Sequence, residues 1–389
     1  MKKTLIAMAA LAATGAFAQS SVTLYGRLSV GYGNQVTSES QANTTGNPTE
    51  RELRAIGGAN NGWQTSYWGI KGSEDLGGGL KANFTLEQDV AVASGTVGTG
   101  FNRISTVGLE GGFGKVDIGR FYTPFFQVVS TADVNNTSAI TTMNVTSYNI
   151  ANGGGTAPTV DTISGRLTGS NLAAANTTVG GDVRGNGIHY VSPNFSGFTV
   201  RAMVAPADST VAVSGTGVTT SDRGQLTNNG LSADYTNGPL KVGVAWGEQV
   251  LKLSGATTEG RGTGQTVAAT YDFGAAKLFA AWAKAKRQAN TSVETYSELT
   301  ETNLGVAVPF GKTTFTAAWG RNTATSVATG AENASLSGND WILGVGYDLS
   351  KRTLVFAKTG VFNNYDGNIA GLAATTKTTN FTVGVRHLF

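Results

Sequence analysis

The sequence predicts an all-β fold: a sixteen-stranded antiparallel transmembrane barrel with short turns at one end and long loops at the other. Three observations predict it. Apolar and polar residues alternate at period two along many segments. Those segments are joined alternately by tight turns and by long polar stretches. No segment after the N-terminus approaches about 18 consecutive apolar residues, so a membrane crossing has to be made by strands closed on themselves, because hydrocarbon tolerates no open sheet edge.

The chain of 389 residues begins Met1-Lys2-Lys3, continues through an apolar stretch from Leu5 to Ala13, and reaches Ala16-Phe17-Ala18 before Gln19. A basic start, a short apolar core and a small-x-small site predict a secretory signal peptide at 1–18, leaving 19–389 as the barrel domain. Without Lys2 and Lys3 the 28 basic residues become 26 against 25 acidic ones, and so near-neutral a protein is not expected to bind nucleic acid. An exported chain with 54 glycines and no cysteine fits a Gram-negative envelope protein held together by hydrogen bonding and packing.

The first strand shows the pattern. In the run from Thr23 to Tyr32, Leu24, Leu28, Val30 and Tyr32 share one face while Thr23, Arg27 and Ser29 share the other. Seven short turns follow along the chain, at Glu74-Asp75-Leu76-Gly77-Gly78-Gly79, Glu110-Gly111-Gly112-Phe113-Gly114, Pro193-Asn194-Phe195-Ser196-Gly197, Asn237-Gly238-Pro239, Asp272-Phe273-Gly274-Ala275, Phe310-Gly311-Lys312 and Asp348-Leu349-Ser350-Lys351. Between them lie eight polar stretches, at 33–62, 90–100, 121–183, 206–229, 248–265, 286–301, 322–339 and 360–378. Fifteen connections make sixteen strands, an even number that brings both termini to the short-turn side.

The faces fit lipid outside and water inside. Leu231, Ala233 and Tyr235 oppose Ser232 and Asp234; Leu304, Val306 and Val308 oppose Asn303; Trp341, Leu343, Val345 and Tyr347 oppose Asp348. A charge on the lipid face near the midplane costs about 2–4 kcal/mol, so strand charges belong on the other parity. A soluble sandwich would share the period but not the alternation of short and long connections, and no fixed repeat of the solenoid kind is present.

The sequence offers little for catalysis. Its two histidines, His189 and His387, both fall in strand patterns, and no serine motif accompanies the inward-parity His189. With no cysteine, a transition-metal site has little to build on, and the expectation is no cofactor.

Several motifs, in order, carry a family resemblance: Thr23-Leu24-Tyr25-Gly26, Trp68-Gly69-Ile70-Lys71-Gly72-Ser73-Glu74-Asp75-Leu76-Gly77-Gly78-Gly79-Leu80-Lys81-Ala82, Val107-Gly108-Leu109-Glu110-Gly111-Gly112-Phe113-Gly114, Gly119-Arg120-Phe121-Tyr122-Thr123-Pro124 and Tyr190-Val191-Ser192-Pro193-Asn194-Phe195-Ser196-Gly197-Phe198. The chain resembles the general diffusion porins of betaproteobacteria from its signal peptide to Phe389. The resemblance implies a homotrimer in outer-membrane lipid, passing ions and small hydrophilic solutes by passive diffusion through a lumen narrowed by the 121–183 loop. It also implies that Phe389, the terminal aromatic, is the signal read by the outer-membrane assembly machinery.

The resemblance further implies arginines at the constriction. Where the family carries the first, this chain has Tyr67, which shares the parity of Lys71 and opposes Trp68 and Ile70. Arg103 matches the second, opposite in parity to Ile104 and Thr106, and Arg184 is the nearest match to the third, displaced by one position. Within the loop, Asp133 and Asp161 are the only carboxylates before Asp182 and Arg166 the only cation, so Asp133 is the loop's candidate charge at the constriction. Arg120 has outward parity and is expected to anchor the loop base or face a subunit contact.

Counting inward-parity strand charges gives nine cations (Arg27, Lys71, Lys81, Arg103, Lys115, Arg201, Lys241, Lys277, Arg386) against six carboxylates (Glu87, Asp89, Asp117, Asp234, Asp272, Asp348). Fixed guanidinium and ammonium groups in a narrow passage attract anions, so the expectation is a weakly anion-preferring porin. Two other readings stay open on the sequence: a substrate-specific channel, and a surface adhesin or receptor whose long loops bind a partner.

Overall fold

In the computed structural model the described residues are 21–39, 49–57, 62–134, 159–161, 166–168, 184–212, 223–253, 259–288, 296–328, 331–364, 368–369, 372–373 and 376–389. The expected signal peptide and most of the 121–183 loop lie outside them.

The chain opens with β1 (Ser21–Glu39), β2 (Thr49–Gly57), β3 (Tyr67–Gly77), β4 (Leu80–Ala91), β5 (Thr96–Val97), β6 (Ile104–Gly111) and β7 (Gly114–Tyr122). Helix α1 (Pro124–Val129) and a 3-10 turn (Ser130–Ala132) follow, then the short pair β8 (Thr159–Asp161) and β9 (Arg166–Thr168). The wall resumes with β10 (Arg184–Val191), β11 (Phe198–Ala212), β12 (Arg223–Asn237), β13 (Leu240–Leu253), β14 (Glu259–Asp272), β15 (Lys277–Gln288), β16 (Tyr296–Phe310), β17 (Thr313–Ala328), β18 (Ala331–Asp348) and β19 (Thr353–Asn364). The small pair β20 (Asn368–Ile369) and β21 (Leu372–Ala373) precedes the last strand, β22 (Thr376–Leu388).

These strands close into a sixteen-stranded antiparallel barrel. Each wall strand pairs with its neighbour in the chain, and the ring shuts where β22 pairs with β1 from Arg27↔Leu388 to Glu39↔Thr376. β2 and β3 both pair with β1 and together form the second stave.

The faces follow the alternation. Leu231 is 51% exposed on the outside while Ser232 is 2% exposed in the lumen, and Leu304 and Asn303 divide in the same way. Outward aromatics form one row near the short turns (Phe198, Tyr235, Tyr271, Phe310, Tyr347) and Trp246, Trp282 and Trp341 a second row further along, with aliphatics between. Aromatic girdles of this kind sit at the two membrane interfaces. The short turns use the expected chemistry. The Asp272 carboxylate accepts from Gly274 N at 2.8 Å, and Gly274 takes φ +81°, which a side chain would strain.

The polar stretches are shorter than the sequence predicts. β1 runs on to Glu39, β13 and β14 stay paired from Leu240↔Tyr271 to Lys252↔Glu259, and β17 and β18 remain paired out to Ala328↔Ala331. Beyond the membrane both faces meet water, so the apolar alternation vanishes while the hydrogen-bond ladder continues.

The start of the third long loop is helical and lies in the lumen, its fold set by local sequence. The Thr123 hydroxyl caps the helix by accepting from Phe126 N at 3.2 Å, and Pro124 occupies the first turn. Phe125, Val128, Val129 and Ala132 then fall at helical spacing and bury against inward alanines of β13, β14 and β15: Ala245, Ala268, Ala281, Ala283 and Ala285. Small residues on the wall make the shallow apolar seat that an otherwise polar lumen lacks. Asn303 Nδ2 donates to the Ala132 carbonyl at 3.0 Å and ends the turn.

Candidate pore constriction

Beside α1 the lumen narrows to a cavity of about 330 Å³. Its wall side presents Arg27, Arg103, Arg201 and Lys241 together with Glu87, Asp234, Tyr67 and Tyr122. Its loop side presents Phe126, Gln127 and Ser130, none of them charged.

Arg103 is the most heavily engaged of the cations, at 4% exposure. Its Nε is 3.3 Å from Glu87 Oε2, its Nη1 2.6 Å from Asp89 Oδ1, and its Nη2 donates to the Tyr122 hydroxyl at 2.5 Å. Glu87 also accepts from the Tyr25 hydroxyl at 2.8 Å. Arg201 forms an ion pair with Asp234. Arg27 has a different set of partners: its Nε donates to the Thr65 carbonyl at 2.9 Å and its Nη2 to the Thr65 hydroxyl at 3.3 Å. Among the described residues neither Arg27 nor Lys241 has a carboxylate within ion-pair distance, so these two carry the uncompensated positive charge of the cavity.

Of the residues singled out in the sequence, Tyr67 and Arg103 line this cavity. Arg103 arrives there by a route the parity argument did not describe. Thr106 is 7% exposed and Val107 62%, so in β6 the even positions face the lumen, and plain strand continuation would aim Arg103 outward. Arg103 instead precedes the strand, with its N–H donating to the Glu87 carbonyl at 3.1 Å, and the irregular backbone there turns it inward.

Lys71 is inward but lies two inward positions from Tyr67 toward the short-turn end, outside the cavity lining, with Nζ 5.0 Å from the Tyr25 ring centre. Arg184 pairs in register with Tyr122 and lays its guanidinium 5.4 Å from that ring. Asp133 is buried at the end of the 3-10 turn, where its charge acts on Lys358 of β19, and it does not line the cavity. Arg120 shares the outward parity of Ile118 and ties two segments together, donating to the Asn102 carbonyl at 2.7 Å and to Asn186 Oδ1 at 3.1 Å. Phe389 exchanges both backbone hydrogen bonds with Gly26, each 3.1 Å.

Sequence reasoning counted Arg27, Arg201 and Lys241 as inward without placing them at the narrowing, and it missed Gln127 and Ser130. The signal was present: Thr123-Pro124 followed by apolar residues at helical spacing predicts a helix, and the inward alanines of β15 predict its seat.

A closed barrel with aromatic girdles, a polar lumen and an internal loop beside a charged aperture defines an outer-membrane diffusion channel. The chain belongs to the Gram-negative porin family, whose model matches residues 4–368. It is 30% identical to outer membrane porin protein 32 of Delftia acidovorans and 29% identical to major outer membrane protein P.IB of Neisseria lactamica, over the full length of each pair. Among solved structures, the anion-selective porin from Comamonas acidovorans superposes with a TM-score of 0.66 at 24% identity, covering 95% of this chain and all of that one. The protein is a porin of the Gram-negative outer membrane.

Proposed function

We propose that this porin passes small hydrophilic solutes and ions with a weak preference for anions. One observation carries the preference: the cavity wall holds Arg27, Arg103, Arg201 and Lys241 against Glu87 and Asp234, while the loop opposite contributes no charge. In a passage with low-dielectric walls an excess of fixed cations attracts anions and raises the barrier to cations. Ion pairs at Arg103 and Arg201 cancel part of that field, which keeps the preference weak. Passage is down a gradient, with no cofactor and no catalytic step.

The family resemblance supports a homotrimer, export through cleavage of residues 1–18, and recognition of Phe389 by the assembly machinery. Planar-bilayer recording in a salt gradient tests the channel. Stepwise conductance with a zero-current potential of anion sign is the expected result, and a potential of cation sign would overturn the preference. Crosslinking in native membranes that stopped at the monomer would remove the trimer.

A further inference from the structure

The second stave is interrupted. On β1, Arg27 pairs with Tyr67 and Gly31 pairs with Gly57, so the ladder to the second stave is broken at residues 28–30. Residues 62–66, which lead into β3, lie against the inner wall. Trp63 buries against Leu354 and Phe356 of β19, with its ring centre 5.5 Å from that of Phe356. It also reaches β18, where a Cβ on Gly344 would stand 3.3 Å from the indole. Because β1 and β22 separate the second stave from β19, the segment crosses their inner faces to get there.

The segment is held at each point. Ser29 and Ser66 replace the missing ladder bonds: Ser29 N donates to Ser66 Oγ at 2.8 Å, and Ser66 Oγ donates to the Ser29 carbonyl at 2.9 Å. Trp63 N donates to Ser29 Oγ at 2.8 Å, Lys358 Nζ donates to the Gly62 carbonyl at 2.5 Å, and Arg386 Nη1 donates to Gln64 Oε1 at 3.3 Å. Of residues 62–66 only Thr65 is not buried. It is also the residue whose carbonyl and hydroxyl hold Arg27, and its hydroxyl lies 3.5 Å from Arg103 Nη1.

We propose that residues 62–66 form a second constriction element, facing α1, in which Thr65 is a positioning residue that aims Arg27 into the ion path. The charge part of this inference rests on the anion-preferring reading above; the narrowing part does not. An arginine side chain has several rotatable bonds, and two bonds to one backbone-anchored residue restrict where its charge sits. The lumen is then narrowed from two sides: by α1 seated on β13–β15, and by this segment lying over β22 and β19.

Bilayer recording on refolded Trp63→Ala and Thr65→Val, each with and without Arg27→Gln, tests it. Trp63→Ala removes the wall anchor, and its unit conductance is expected to rise. Unchanged conductance in a folded barrel overturns the second constriction, whatever the ion preference of the parent. Thr65→Val keeps the backbone carbonyl and the shape but removes the hydroxyl, and its zero-current potential is expected to shift toward zero. That shift is expected to disappear in the Arg27→Gln background, whereas an equal shift in both backgrounds overturns the positioning role. Trp63→Phe restoring the parent conductance separates loss of the anchor from loss of folding. A parent protein with no anion potential would refute the anion-preferring reading and with it the charge part, leaving the conductance result to decide the narrowing.

Discussion

The Arg103 guanidinium carbon lies 4.5 Å from the centre of the Tyr67 ring, and that of Arg27 lies 5.0 Å from the same ring. Two like charges thus share one aromatic partner, an arrangement worth about 0.5–2 kcal/mol for each cation. Tyr67 thus supports two arginines of the cavity wall and adds no charge of its own. Tyr67→Arg should therefore shift the zero-current potential in a salt gradient further toward anions. An unchanged potential would place residue 67 off the ion path.

Lys241 and Arg103 should separate selectivity from stability. Lys241 has no carboxylate partner among the described residues, so Lys241→Gln should lower anion preference and leave the unfolding transition in place. Arg103→Gln leaves Glu87 buried without its cation, and breaking such a pair from one side costs about 3–5 kcal/mol. Denaturant titration followed by electrophoretic mobility should show the loss for Arg103→Gln alone. Equal stability of the two variants would mean that water, and not Arg103, solvates Glu87.

Much of the barrel was legible because lipid imposes a rule on every strand. Leu231 against Ser232 and Leu304 against Asn303 can be read without any structure. The site was less legible because its residues escape that rule. Arg103 precedes its strand, Thr65 lies in an interruption, and α1 is a helix within a chain of strands. The ends of the long stretches were hidden for the opposite reason: in water a paired strand need not alternate. Arg27, Arg201 and Lys241 could be assigned to the lumen by parity, but only the closed barrel brings them to one cavity.

Helix α1 sets the loop side of the cavity through a close approach to the wall. A Cβ on Gly243 of β13 would stand 3.1 Å from Val128 Cγ1 and 2.8 Å from Asp234 Oδ1. Gly243→Val should therefore push α1 toward the open lumen and lower the unit conductance, because the wall is a continuous ladder and the helix is the softer neighbour. A step size equal to that of the parent would show that α1 does not border the solute path.

Phe389 closes the barrel through its backbone and leaves its ring partly exposed, so the two can be tested separately. Its N–H and carbonyl pair with Gly26, and its Cζ lies inside the space a Cβ on Gly26 would take. Phe389→Ala keeps both backbone bonds and removes only a partly lipid-exposed ring, so the refolded barrel should keep its thermal transition. If the terminal aromatic is what the assembly machinery reads, the same variant should accumulate poorly in outer membranes of living cells. Gly26→Val should show no such split: it preserves the terminal aromatic but crowds its seat and the Tyr67 carbonyl, so refolding in detergent should suffer as well. Comparing the yield of heat-resistant barrel from cells with that from refolding reads both. Equal losses for Phe389→Ala in the two settings would make Phe389 a packing residue and remove its role as a signal.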